Sequence, residues 1–139
     1  MTTTVTGGCC CGAIRYECTA DPVLIANCCC TDCQKTSGGQ MSCNVAVPSD
    51  GFRISRGTTK THVTTGESGN PVTRHFCGDC GSPIYSAPAI MPGVTIYKVG
   101  TLDDPSWAKP QMTIYAASAP PWASLPADVP RFPKMPPMG

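Results

Sequence analysis

Eleven of the 139 residues are cysteines, and their spacing limits what the chain can become. They stand at positions 9, 10, 11, 18, 28, 29, 30, 33, 43, 77 and 80. Their number is odd, and six of them form two triplets. Neighbouring cysteines join each other only through a strained ring, and crowded ones compete for partners. A disulfide framework is therefore a poor account of the pattern. Met1-Thr2-Thr3-Thr4-Val5 lacks the basic and apolar regions of a secretory leader, so the expectation is a cytoplasmic protein with reduced thiols. Clustered thiolates in that setting point to metal.

Three groups carry the chemistry: Cys9-Cys10-Cys11, Cys28-Cys29-Cys30-Thr31-Asp32-Cys33 and Cys77-Gly78-Asp79-Cys80. The third is a C-x-x-C knuckle, and a distant second cysteine pair makes such a knuckle a strong zinc signal. A structural zinc takes four ligands, which Cys9, Cys11, Cys77 and Cys80 supply. Cys28, Cys30 and Cys33 then remain, and three thiolates leave one coordination position free. The expectation is two zinc ions per chain, one structural and one with an open position. Zinc with three thiolates carries a net charge of about −1, which makes it a weak Lewis acid. It is poorly suited to hydrolysis and better suited to holding an incoming thiol as thiolate. Cys29, Cys18 or Cys43 could instead fill the fourth position and close the site. Cys18 and Cys43 also read as small buried strand residues.

The rest of the pattern is mainly β. Stretches 13–18, 23–26, 41–47, 52–55, 60–64, 72–76, 94–99 and 112–116 read as strands, with Gly57 and 66–71 as turns. One short helix fits after the second cysteine group. Thr31 or Asp32 would cap it and Gly38-Gly39 would stop it, placing Cys33 in its first turn. Nine of the fifteen prolines lie from Pro105 onward, so the tail at about 105–139 should wrap the surface in extended and turn conformations. Trp107, Trp122 and Phe132 suggest that it packs onto the body. No boundary or repeat interrupts 1–139, so a single domain is expected.

Net charge of +1 with no basic run gives no footprint for nucleic acid, and no apolar run of membrane-spanning length exists. A non-catalytic zinc module that binds a protein or nucleic acid is the alternative to an enzyme.

These residues resemble a known family. Gly7-Gly8-Cys9-x-Cys11-Gly12-Ala13-Ile14-Arg15-Tyr16-Glu17 is similar to the opening of the glutathione-dependent formaldehyde-activating enzyme family, which includes centromere protein V. The family's second anchor, C-H-C-x-x-C-R-K-x-S-G, is matched by Cys28-Cys29-Cys30-Thr31-Asp32-Cys33-Gln34-Lys35-Thr36-Ser37-Gly38. Here Cys29 replaces the frequent His, and Gln34 a basic residue. Phe76-Cys77 to Cys80-Gly81-Ser82-Pro83-Ile84 matches the third anchor, and Val99 to Pro105 also fits. The resemblance implies a β-tent-type stack of short antiparallel sheets around a closed four-cysteine zinc. It implies a second zinc on Cys28, Cys30 and Cys33, with room for substrate. The activity it implies is a carbon–sulfur lyase reaction in reverse, joining glutathione and formaldehyde into S-hydroxymethylglutathione.

A small thiol such as glutathione is thus the expected partner, and its two carboxylates want cations. Arg15, Lys35, Arg53, Arg74 and Lys98 are candidates. Lys35 is the expected contact, because it follows the open cysteine cluster. His62 and His75 are candidate acid–base groups, although bland surface roles suit them too.

Overall fold

Short alternating runs, broken every few residues by Gly or Pro, build two sheets joined through one core. The computed structural model describes residues 3–66 and 69–136. Glu67 and Ser68, within the turn expected at 66–71, lie outside the described residues, as do Met1, Thr2 and 137–139.

The smaller sheet has the order β1 (Val5–Gly8), β2 (Arg15–Cys18), β5 (Phe52–Arg56). The larger one contains β3 (Leu24–Cys28), β4 (Ser42–Pro48), β6 (Lys60–Thr65), β7 (Pro71–Phe76), β8 (Pro83–Pro88), β9 (Val94–Lys98) and β10 (Met112–Ile114). Its order is β10-β3-β4-β9-β8-β7-β6. Every pairing among β1 to β9 is antiparallel, as the family resemblance implies. The departure is β10, which joins β3 in parallel. The long connection after β9 gives the chain enough length to reach that direction.

Alternation decides which side chains enter the core. In β2, Tyr16 and Cys18 are buried, and in β9, Thr95 and Tyr97 are buried. Tyr16 and Phe52 from the smaller sheet meet Tyr85 and Tyr97 from the larger one. Their ring centroids lie 5.0 Å (Tyr16–Phe52), 4.9 Å (Phe52–Tyr85) and 5.5 Å (Tyr16–Tyr97) apart. Each such pair adds about 0.5–1.5 kcal/mol beyond area burial. Val45, Val47, Ile84 and Leu102 fill around them.

The helix α1 (Thr31–Ser37) forms where expected and ends at Gly38, whose φ of 72° is the left-handed conformation that glycine adopts freely. Its N-cap differs from expectation: it is Cys30, whose sulfur accepts from the Cys33 N–H, rather than Thr31 or Asp32. Strands β1 and β8 are additions to the sequence reading. Within the Pro-rich tail, Thr113 N–H donates to the Pro130 carbonyl and Phe132 N–H donates to the Thr113 carbonyl, while Gln111 N–H donates to the Ile25 carbonyl and Ser124 N–H to Gln40 Oε1. Trp122, however, is 75% exposed and is no anchor for it.

Candidate metal centres and the adjoining cavity

The loop between β1 and β2 carries Cys9 and Cys11, and the turn between β7 and β8 carries Cys77 and Cys80. Both loops are folded by their own backbones. Gly12 N–H donates to the Cys9 carbonyl, and Gly81 N–H donates to the Cys77 carbonyl. The four Sγ atoms lie within 4.8 Å of one another. Cys9 Sγ is 3.6 Å from Cys11 Sγ, which is 3.7 Å from Cys77 Sγ. Zinc–sulfur bonds of about 2.3 Å in a tetrahedron set sulfurs roughly 3.8 Å apart, so the cluster has the size zinc requires. The Ile14 N–H donates to Cys9 Sγ at 3.2 Å, and Ser82 Oγ stands 3.2 Å from Cys80 Sγ. The hydroxyl and amide of Ser82, with the Cys11 backbone, hold the Cys80 thiol down to about 5. Thiolate is the ligand form, so these donors prepare the site for metal.

The second cluster is Cys28 at the end of β3, Cys30 at the cap of α1 and Cys33 in its first turn. These sulfurs too lie within 4.8 Å of one another. Among the described residues the cluster gains no fourth cysteine, histidine or carboxylate. Cys29 is fully buried, and Cys18 sits in the core beneath the smaller sheet. Cys43 lines a cavity instead. Hydrogen bonds from Cys28 and Cys30, then the charges of Lys98 and Arg74, push Cys33 down to about 3. Cys28 moves the other way, through its contacts with the Cys30 and Cys33 sulfurs and through burial. One proton is thus shed early and the others are held, which a metal would displace. The two donor sets suit two zinc ions.

Two cavities, of about 290 and 450 Å³, share Thr36, Pro83 and Lys98. Cys28, Cys30 and Cys33 line neither, and the approach to the cluster is through Thr36 on α1 and through Ser42, which lines the smaller cavity and stands opposite Cys28. Lys98 Nζ donates to Asn44 Oδ1 at 3.0 Å and to Ser42 Oγ at 3.1 Å. Burial lowers its ammonium's affinity for protons, while the Cys33 sulfur opposes that loss. Arg74, His62, His75 and Ser86 line the larger cavity. His75 stacks on Tyr85 with ring centroids 4.0 Å apart, and its Nδ1 lies 2.8 Å from Thr59 Oγ1.

The five candidate cations therefore part company. Arg15 pairs with Asp103 and Arg53 with Glu17, so both serve the smaller sheet. Lys35 is exposed on α1 and lines neither cavity. Arg74 and Lys98 line the larger of the two cavities, and their charges act on Cys33 of the second cluster. Asn44 and Ser42, which anchor Lys98, escaped the sequence reading. The signal for them was strand register, with Asn44 opposite Lys98 and Ser42 opposite Cys28.

Two packed sheets, one short helix and separate clusters of four and three cysteines define a mainly β, metal-binding protein. The chain belongs to the glutathione-dependent formaldehyde-activating enzyme family, whose sequence model matches residues 4–118. Its fold is similar to the crystal structure of a Rhodobacter sphaeroides protein, with a TM-score of 0.60 at 16% identity. That match covers 91% of this chain and 98% of the other, and at such identity it speaks to fold alone. No helix among the described residues is long and apolar enough to cross a membrane.

Proposed function

We propose that the chain is a zinc-dependent carbon–sulfur lyase-type enzyme acting on the thiol adduct of a small aldehyde, of the S-hydroxymethylglutathione kind. The supporting observation is a three-thiol cluster, separate from the four-thiol one, within reach of the charges of Lys98 and Arg74, which line a cavity. Four thiols saturate a tetrahedral ion and serve the fold, whereas three leave a position for substrate. When bound to Cys28, Cys30 and Cys33, zinc supplies a soft site that favours thiolate over thiol. Lys98 and Arg74 make the surrounding potential favourable to that anion. In the synthetic direction a sulfur–carbon bond forms, and the proton lost by the thiol ends on the former carbonyl oxygen. The lyase direction reverses both changes. Lys35, next to the cluster in sequence, is proposed as an outer contact at most, since the cavity-lining cations are Lys98 and Arg74.

The test is exchange spectroscopy on glutathione and formaldehyde with protein carrying two zinc ions per chain. Wild type should speed interconversion with S-hydroxymethylglutathione above the buffer rate, and Cys30→Ser should not. A fully zinc-loaded wild type that leaves the buffer rate unchanged would refute the reading. So would X-ray absorption finding four protein sulfurs around both ions.

A further inference from the structure

Strand register sets one row of side chains on a single face of the larger sheet. His62 stands opposite Arg74, and Arg74 opposite Ser86. Ser86 stands opposite Ile96, two residues from Lys98, which stands opposite Asn44. Ser42, two residues from Asn44, stands opposite Cys28. Directly opposed residues share a face, as do residues two apart in a strand. The row therefore runs from the outer strand to a member of the three-cysteine cluster. His62, Arg74, Ser86 and Lys98 also line the 450 Å³ cavity together.

The two cations in this row are anchored by neutral oxygens. Lys98 is held by Asn44 Oδ1 and Ser42 Oγ, and Arg74 Nε donates to Thr64 Oγ1 at 3.1 Å. The ion pairs among the described residues are Arg15–Asp103, Arg53–Glu17 and Lys109–Asp128, so neither Arg74 nor Lys98 has a carboxylate partner there. Two partly buried like charges disfavour each other, and an anion seated between them relieves the repulsion. The cysteine sulfurs answer this charge only from the cluster side. Distance then limits the ligand. Lys98 Nζ is 3.1 Å from Ser42 Oγ, and Ser42 faces Cys28 across a strand pair whose Cβ atoms are about 4.5–5.5 Å apart. An anion on Lys98 and a sulfur at the cluster are thus separated by a short carbon chain.

Resting on the lyase reading, we infer that Lys98 and Arg74 form a carboxylate-recognition site near the three-cysteine cluster, so that short mercapto acids are among the thiols this chain takes. The carboxylate meets a guanidinium and an ammonium whose anchors keep both aimed at the cavity. Ser86 and Thr36 offer hydroxyls along the same wall.

The experiment is calorimetric titration of zinc-loaded protein with 3-mercaptopropionate and with 3-mercaptopropionamide, which differ only in the charged group. Zinc content is measured before and after. The acid should bind about tenfold to a hundredfold more tightly, the range for a charge-assisted pair. Arg74→Gln and Lys98→Gln should each remove most of that preference. Lys109→Gln, an equal charge change at the exposed pair with Asp128, should keep it. Equal affinity for acid and amide overturns the carboxylate site and leaves the thiol-handling site standing. Failure of both thiols to bind overturns this inference, and if glutathione titrated into the same zinc-loaded protein also fails to bind, the lyase reading falls with it. If Lys98→Gln sheds zinc, Arg74→Gln decides, and full retention of the acid's advantage there overturns the assignment.

Discussion

Arg15 on β2 grips Asp103 with both terminal guanidinium nitrogens, and Thr6 Oγ1 donates to the same carboxylate at 2.6 Å. The pair ties the smaller sheet to the corner that follows β9, 88 residues away. Backbone supports the join, since Asp103 N–H donates to the Thr6 carbonyl at 3.0 Å. The Arg15 and Thr6 hydrogen bonds hold the Asp103 carboxyl down to about 2, against an unfolded value near 3.9. A carboxyl depressed in the folded state stabilises it fully above the unfolded value and loses that effect as pH falls toward 2. The side chains are 32% and 47% exposed, so solvent screening reduces the contribution to about 1 kcal/mol or less. Asp103→Asn should thus lower stability slightly at pH 6, and the difference from wild type should shrink between pH 4 and 2. Urea unfolding of both proteins at matched pH measures it. Acid also frees zinc from thiolates, so only the difference between the two curves is informative.

The two cysteine clusters should respond differently to the loss of one ligand. Cys11 and Cys77 are 66 residues apart in sequence, and their cluster joins a loop of one sheet to a turn of the other. Structural zinc contributes on the order of 10 kcal/mol to folding. Cys77→Ser should therefore unfold or precipitate the protein. Cys30→Ser disturbs only a helix cap and the half-buried member of its cluster, so it should bind one zinc instead of two and keep its β circular dichroism. Metal analysis with thermal melts separates these outcomes. Equal damage from both substitutions would mean that both clusters are structural.

Much of this was legible because it is local. Gly38 ended the helix as its left-handed φ requires, and the cysteine spacings gave both clusters. Strand β8 was hidden by Pro83 and Pro88, which read as breakers yet occupy its two ends, where a missing N–H is tolerated. Strand β1 ends in Gly7 and Gly8, which have low strand propensity, so no local pattern marked it. Lys35 stood out because it is near the cysteines in sequence, but α1 leaves it exposed. Lys98, 65 residues beyond Cys33, reaches that cluster only through the β3-β4-β9 order, which no local pattern encodes.

The glycine at position 7 should be irreplaceable. A Cβ there would overlap the Thr101 carbonyl and the Tyr16 ring hydroxyl. Neither can retreat, because Tyr16 is buried and its hydroxyl is hydrogen-bonded to Thr101 Oγ1 at 2.7 Å. Gly7→Ala should destabilise by about 1–3 kcal/mol, the usual range for overpacking. Gly39→Ala has open contacts at 3.8 Å and beyond, and it serves as the tolerated control. A melting temperature for Gly7→Ala within a degree of wild type would contradict the packing described.

Gln34 should govern how firmly the second cluster holds its metal. Its Nε2 donates to the Cys29 carbonyl at 2.8 Å and to the Ser118 carbonyl at 2.9 Å. It thereby clamps the cysteine loop, the helix and the tail together. Cys29 N–H adds a bond to the Ile114 carbonyl at 3.0 Å, which fixes the loop to β10. Truncating Gln34 to Ala removes both amide donations, at a cost of about 1–2 kcal/mol. Because Cys28 and Cys30 flank the clamped carbonyl, the loss falls on the three-cysteine cluster and spares the four-cysteine one. Supports of this kind typically change metal affinity about tenfold or more. Zinc release to a chromogenic chelator should therefore show two phases, with only the faster one accelerated in Gln34→Ala. Gln34→Glu cannot donate to either carbonyl and should release zinc at least as fast. Identical release traces for wild type and both variants would mean that the clamp does not support the site.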